Sequence, residues 1–301
     1  MSRSRQEESY QAVYEIYKET GDHIDELCKG AKIARSSYYK WRKRERPESE
    51  IENIKISKLI KKIHEEDPSK GYRRIKDDLL KEYGEKVNDK RVLRICRVFG
   101  IRSNIKYRRG GCTINDREPK YTAENILNRK FKAEKPDMKW LTDVTEFKYY
   151  VEGEKKKLYL SAILDLYDRR IVSYEIGDSN NNELVFKTFE KAVKSNPDAH
   201  PLFHSDRGFQ YTSPDFHEKI EAAKMTQSMS RVGKCLDNGP MEGFWGILKR
   251  ERYYGMKYTS KKALVEMITS YIDYYNNKRY QRKLNIMTPM EKHQQYFATV
   301  A

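Results

Sequence analysis

Hydrophobic periodicity changes once along this 301-residue chain, and that change constrains the fold more than any other feature. Over roughly the first hundred residues the apolar positions recur at i, i+3, i+4 and i+7, the spacing that leaves a helix with one apolar face. Residues 138–151 read Met-Lys-Trp-Leu-Thr-Asp-Val-Thr-Glu-Phe-Lys-Tyr-Tyr-Val, a β-branched and aromatic run that suits a pleated, half-buried strand. Such a chain needs a helical part and a part built on a sheet.

The helical part divides in two. Val13, Ile16, Tyr17, Ile24, Leu27 and Cys28 keep helical spacing across a break at Gly21. Gly30 supplies a turn, Ile33 packs back, and residues 36–44 form a basic second helix. Helix, turn and basic helix is the grammar of a helix-turn-helix module over 1–48, though a plain helical hairpin has the same pattern. Pro47 and the Glu/Ser stretch after it are expected to end the unit. A second module covers 51–109. Ile56, Leu59, Ile60 and Ile63 line one helix, Gly71 opens another that Gly84 stops, and Asn88 or Asp89 caps a third. In the third, Val92, Ile95, Cys96 and Phe99 form the apolar stripe, and Lys90, Arg91, Arg94 and Arg97 occupy the other face. Residues 110–132, with Gly110-Gly111 and no periodicity, read as a linker, and 133–301 as the sheet-bearing domain with C-terminal helices.

Within that domain, further strands are expected at 158–166, 170–176, 201–206 and 225–229, and helices at 180–194, 216–223 and 239–252. The run 158–166 is apolar on both faces and is placed centrally. Three strands followed by alternating helices and strands predict a mixed sheet flanked by helices, an α/β domain behind all-α modules.

Charge narrows the partner. The chain carries 61 Lys and Arg against 45 Asp and Glu, a net charge of +16. Residues 32–46 hold seven basic residues and one acid, and 86–110 hold nine and one. Two nearly acid-free runs beside short helical clusters point to phosphate contact, with Lys40, Arg42, Lys43, Arg44, Lys90, Arg91, Arg94 and Arg97 as candidates. No stretch approaches the ~18 consecutive apolar residues of a membrane span, and the polar N-terminus does not read as a signal peptide. The four cysteines are scattered, with no C-x-x-C and no histidine at ligand spacing. A zinc site and a disulfide framework are therefore not expected. A soluble protein of a reducing compartment, facing nucleic acid before a membrane surface, fits these features.

Three carboxylates stand apart. Asp143 is mid-strand among Trp140, Leu141, Val144 and Phe147. Asp206 sits where a strand runs into Arg207-Gly208. Glu242 lies in the first turns of a helix opened by Asp237-Asn238-Gly239-Pro240. Each alone has an ordinary reading, but a mid-strand acid needs a partner, and a metal ion is an economical one. Asp165, and less so Asp168 and Asp237, are competing acids.

The segments Trp140-Leu-Thr-Asp143-Val-Thr, His204-Ser-Asp206-Arg-Gly-Phe-Gln-Tyr-Thr and Asp237-Asn-Gly-Pro-Met-Glu242-Gly-Phe-Trp-Gly-Ile-Leu-Lys249 resemble the integrase core of DDE transposases. The likeness is nearest to the second-reading-frame protein of the IS-three family of bacterial insertion sequences, whose Asp–Asp–35–Glu pattern matches the 35 residues between Asp206 and Glu242. Residues 69–99 resemble the family's helix-turn-helix segment, and Tyr275-Asn-Asn-Lys-Arg279 with Thr288-Pro289 its C-terminal signature. The common Arg-Pro-His stretch is here Arg279-Tyr280-Gln281, away from every catalytic position.

The resemblance implies a ribonuclease H-like fold, dependence on Mg²⁺ (or Mn²⁺) and DNA transposition, with 3′-end cleavage followed by strand transfer from the 3′-OH. Two hard cations ~3.5–4 Å apart can activate the attacking oxygen and stabilise the leaving one. Asp143 is then the expected bridging ligand, with Asp206 and Glu242 each completing one ion. Asn238 is expected to orient Glu242, and Lys249 to meet a phosphate near the ions. His204 is read as a hydrogen-bonded structural histidine before a phosphate contact. The implied partners are the element's terminal inverted repeats, target DNA and further copies of the chain. In this family the first reading frame commonly adds another helix-turn-helix and a leucine zipper by translational fusion. No sustained heptads occur here, so a subunit active only when joined to that protein stays open. So do a non-catalytic DNA-binding regulator and a ribonuclease acting on RNA–DNA hybrids.

Overall fold

The computed structural model describes residues 3–45, 47–105 and 121–300, which divide into two compact units, Met1–Leu59 and Ile60–Ala301. Gly110-Gly111 and the rest of 106–120 lie outside the described residues.

In the first unit α1 (Arg3–Thr20) stops at Gly21, whose φ of 73° leaves the helical region. Helices α2 (Ile24–Gly30) and α3 (Arg35–Arg42) follow. The turn between them is made not by Gly30, which ends α2, but by Lys32 at φ 54°. The Ile33 N–H closes the turn on Cys28 O at 3.0 Å, and Val13, Cys28 and Tyr38 form a small core with Trp41 against it. Pro47 does not end the unit. Its carbonyl accepts from the N–H groups of Glu50 and Ile51, and α4 (Glu48–Glu66) starts there with Glu48 and Glu50 in its first turn. A proline just ahead of a helix loses no hydrogen bond, and acids in the first turn suit the dipole, so the Glu/Ser stretch begins an element instead of closing one.

The second unit opens with the end of α4, then α5 (Tyr72–Tyr83) and α6 (Asp89–Val98). Ile60, Ile63, Ile75, Leu79, Val92, Ile95 and Cys96 are buried together along their predicted faces. Gly84 takes the left-handed cap of α5, and the Asn88 side chain accepts from Lys90 N at 2.9 Å to cap α6.

Five strands form one sheet: β1 (Lys139–Val151), β2 (Glu154–Asp165), β3 (Ile171–Gly177), β4 (Leu202–Ser205) and β5 (Thr226–Met229), in the order β3-β2-β1-β4-β5. The first three strands meander antiparallel, and β4 and β5 join parallel beyond β1. The middle strand is therefore β1, with β2 interior beside it. Alternation on β1 separates two cores. Trp140 faces α7 (Asn182–Ser195) and α8 (Pro214–Ala222) with Ile163, Phe189, Phe203 and Phe216. Leu141 and Phe147 face α9 (Gly239–Leu248) and α10 (Lys261–Asn277) with Leu160, Phe244 and Ile268. Each such side chain contributes about 1.5–3 kcal/mol by leaving water. Residues 121–132 form no regular element yet hold to this domain: Tyr121 N donates to Thr212 O at 3.1 Å, Met229 N to Glu124 O at 3.2 Å, and Leu127 is buried.

The helical and sheet parts of this unit share a set of ion pairs. Arg74 of α5 reaches Asp67 at 3.3 Å and Glu251 at 3.2 Å. Arg252 reaches Asp67 at 3.2 Å, Arg279 reaches Glu251 at 2.7 Å, and Arg282 reaches Asp77 at 2.9 Å. Glu251 and Arg252 belong to a π-helical turn, Lys249–Tyr253, that follows α9 directly. No helix among the described residues is long and apolar enough to cross a membrane.

Candidate active site

The pairing of β1 with β4 brings two acids together. Lys139 pairs with Leu202, Trp140 with Phe203 and Leu141 with His204. The same offset, carried two residues on, sets Asp206 beside Asp143, and partners in adjacent strands point to the same face. That face is covered by α9. Trp245 of α9 donates its indole N–H to Asp143 Oδ2 at 3.0 Å, and Asp143 Oδ1 accepts from Val144 N at 2.8 Å. Asp206 Oδ1 accepts from Gly208 N at 2.8 Å. A Cβ on Gly208 would sit 3.0 Å from that same Oδ1, so only glycine lets the backbone close on the carboxylate undisturbed.

The donors to both carboxylates are neutral, and the electrostatics follow. Burial, reinforced by the charge of Asp206 and more weakly by that of Glu242, holds Asp143 up to about 7. Asp206 is raised as well, by burial against the pull of Gly208 N–H. Glu242 lies exposed in the first turn of α9 and is also pushed up by partial desolvation. Its charge also raises Asp143, less than that of Asp206 does. Among the described residues no three or more Asp, Glu, His and Cys side chains close to metal-ligand spacing. What the fold assembles is a close pair of acids with a third on the facing helix.

The remaining expected site residues fall around this pair. Lys249 donates to Thr145 Oγ1 at 2.6 Å and lies 5.1 Å over the Phe147 ring, and burial lowers its pKa against the attraction of Asp143. Asn238 is not on the helix face of Glu242. It ends a 3-10 turn, Cys235–Asn238, and gives its amide N–H to Thr142 O at 3.0 Å. His204 is fully buried between Ser228 Oγ (2.9 Å) and Ser230 Oγ (3.1 Å), and burial lowers it to about 4, so it is neutral.

The competing acids have structural partners. Asp165 accepts from the N–H groups of Asp137, just ahead of β1, and Tyr167, in the β2–β3 turn, and Asp168 pairs with Arg170 and His293. Asp237 is saturated by Arg129, Arg231 and Asn125. Sequence reasoning passed over Trp245 and Gly208. Both had a signal: Trp245 is three residues beyond Glu242, and Gly208 two beyond Asp206.

Of the basic candidates, Lys90, Arg94 and Arg97 are exposed along α6, while Arg91 is half-buried. In the first unit Lys40, Arg42 and Lys43 are exposed, with the Arg42 guanidinium 6.0 Å from the Tyr14 ring. Arg44 is engaged by Glu50 at 2.6 Å and Glu7 at 3.4 Å.

Residues 133–235 and 223–289 match models of the integrase core domain, and residues 50–109 match an HTH-like domain. The chain is similar to the InsK transposase of insertion sequence element IS150 from Escherichia coli K12, 37% identical over 277 residues that cover 91% of this chain and 94% of the relative. It is 30% identical to the transposase of insertion sequence element IS904 from Lactococcus lactis, over 80% of this chain and 94% of the relative. Among solved structures, the catalytic core domain of HTLV-2 integrase in complex with magnesium superposes at a TM-score of 0.41 and 18% identity, covering 54% of this chain and 99% of that one. Family models spanning most of the sheet-bearing part, with a relative of this identity and coverage, place the chain: it belongs to the transposases of the IS-three family of insertion sequences, with an HTH-like domain ahead of an integrase core.

Proposed function

We propose that this transposase cuts the 3′ ends of its element and joins them to target DNA through divalent metal held by Asp143, Asp206 and Glu242. The observation that carries the reading is the Asp143–Asp206 pair, one carboxylate on β1 and one just past the end of β4, near enough that the Asp206 charge raises Asp143, with only neutral donors. Like charges this close raise each other's pKa unless a cation joins them. The donor set is all oxygen, the preference of Mg²⁺ and Mn²⁺. Asn238 Oδ1, buried without a hydrogen-bond partner, adds an oxygen able to accept a hydrogen bond beside these acids. When bound, two such ions supply Lewis-acid stabilisation of the attacking and leaving oxygens of an in-line phosphoryl transfer.

The chain's own residues do the rest. Trp245 and Val144 N–H fix the orientation of Asp143, and Gly208 N–H fixes that of Asp206, leaving the other carboxylate lone pairs for a cation. Lys249, on the Asp143 side of the strand, offers an ammonium to a DNA phosphate. Lys90, Arg91, Arg94 and Arg97 hold end DNA, and Lys40, Arg42, Lys43 and Arg44 add a second basic contact. Helical DNA-binding modules precede the integrase core of residues 133–301, and several copies assemble on DNA in the bacterial cytoplasm.

The test is to incubate the chain, alone and with the upstream-frame protein, with its element's end DNA and Mg²⁺ or Mn²⁺. Metal-dependent 3′ nicks are expected, and Asp143→Asn should remove them. Binding without nicking under every metal and partner condition would leave a non-catalytic regulator instead.

A further inference from the structure

Asp237 is a carboxylate with no exposed surface that receives five hydrogen bonds. Arg129 Nε (2.6 Å) and Arg231 Nη2 (2.8 Å) reach its Oδ1. Asn125 Nδ2 (2.9 Å), Arg231 Nε (2.8 Å) and Arg231 N (3.1 Å) reach its Oδ2. Two of the three partner residues come from 121–130, the stretch that enters the integrase core more than a hundred positions upstream. That stretch is bent to reach: Asn128 and Arg129 both take positive φ, 41° and 59°. Left-handed backbone at non-glycine residues costs of order 1–3 kcal/mol and persists only where the surroundings over-determine it.

What the clamp fixes is the start of α9. The residue after Asp237 is Asn238, tied by its amide to Thr142 O next to Asp143. Glu242 follows within one and a half turns, and three residues later Trp245 is tied to Asp143 itself. Glu242 thus lies between two tethers to β1, and the first of them hangs on Asp237.

We propose that Asp237, with Arg129 and Asn125, is a positioning device that holds Glu242 against Asp143 and so sets the affinity of the site for divalent metal. The segment leading into the core thereby governs the geometry of the catalytic helix. This deepens the functional reading above and rests on Glu242 being a metal ligand.

The test measures Mn²⁺ binding to the metal-free full-length chain by the electron paramagnetic resonance of free Mn²⁺, alongside thermal unfolding and end-DNA binding. Arg129→Ala should weaken Mn²⁺ binding about tenfold, the lower end of what loss of a partner behind a ligand costs. Arg129→Lys should recover most of it, and DNA binding should not change. Arg129 is 41% exposed and leaves Arg231 and Asn125 on the carboxylate, so the fold should survive its loss. If Arg129→Ala does not fold, Asn125→Ala, which removes one hydrogen bond, is measured in its place. Unaltered Mn²⁺ binding with a lowered melting temperature, in whichever variant folds, means the clamp only stabilises the loop and overturns the proposal. Glu242→Gln separates the two readings. Weakened Mn²⁺ binding in Glu242→Gln but not in the clamp variants defeats the positioning role alone, whereas normal Mn²⁺ binding and nicking in Glu242→Gln defeats the functional reading beneath it.

Discussion

Asp67 and Asp143 lie in the same compact unit, both are withdrawn from water, and they are driven in opposite directions. Burial pushes Asp67 up, but hydrogen bonds from Arg252 and Ser69, with Arg74 nearby, more than offset it and leave it at about 2. Glu251 behaves alike: burial raises it, and Arg279 and Arg74 bring it below the ordinary range. Asp143 has burial and two neighbouring acids acting together, opposed only by an indole and a backbone N–H, and rises to about 7. The first group came with its cations and holds the helical part against the sheet part. The second came without, and under the proposed function its cation would arrive from solution.

The largest effect that sharpens this contrast is catalytic. Asp143→Asn, Asp206→Asn and Glu242→Gln should each lower 3′-nicking at least about a thousandfold, the factor that about 4 kcal/mol of lost transition-state stabilisation gives. End-DNA affinity, measured by gel shift, should be largely retained. Nicking at near-normal rate in any one of the three removes that residue from the site.

The paired acids should respond through stability. Glu251→Ala leaves the largely buried Arg279 without its acid, while Arg74 keeps Asp67, and should cost about 3–5 kcal/mol, read as a lower midpoint in urea with an unchanged slope. A loss below about 1 kcal/mol, the worth of a surface pair, would erase the distinction between the two groups of acids.

Why one group was legible in the sequence and the other was not follows from the same contrast. Asp143, Asp206 and Glu242 could be singled out because each sits in a local motif (an acid inside an apolar strand, an acid at a strand end before glycine, an acid opening a helix) and the three motifs together resemble the integrase core. The meeting of Asp143 and Asp206 needs only the parallel pairing of β1 and β4 that an α/β order implies. The pairs Arg74–Glu251, Arg282–Asp77 and Arg129–Asp237 join residues 177, 205 and 108 positions apart, and nothing in composition or period chooses one arginine among so many. Helix ends were readable where glycine or asparagine dictated them, as at Gly21, Gly84 and Asn88. Pro47 misled because proline marks the threshold of a helix as readily as a break after one. The π-helical turn at Lys249–Tyr253 has no sequence signal, since its register shift serves contacts made from elsewhere.

Opposite pKa shifts predict opposite pH slopes. Asp143 is raised, so its contribution to stability is complete below its ordinary pKa and is lost as pH rises through about 7. Asp67 is depressed, so its contribution is present above its ordinary pKa and is lost as pH falls toward 2. Metal-free protein should therefore melt lower at pH 8 than at pH 6, Asp143→Asn should flatten that fall, and Mg²⁺ should stabilise more at pH 8 than at pH 6. Melting curves with and without chelator at the two pH values decide it. A fall that persists unchanged in Asp143→Asn assigns it to another group.

The smallest effect tests the cations by the same division. Arg74, Arg279 and Arg282 are engaged by acids, whereas Arg94 and Arg97 stand exposed on α6 beyond its buried stripe of Val92, Ile95 and Cys96. If the exposed pair meets DNA phosphates, binding should weaken with salt at a slope of roughly −0.9 in log K per log salt for each phosphate neutralised. Replacing both with alanine should reduce that slope by about two and weaken all sequences alike, because phosphate contacts position a protein without reading bases. The variant should fold normally, since neither side chain contributes to the packed face of α6. An unchanged slope would make α6 a solvated surface and move the DNA contact to the exposed Lys40, Arg42 and Lys43 of the N-terminal unit. Arg44, already engaged by Glu7 and Glu50, should add little there.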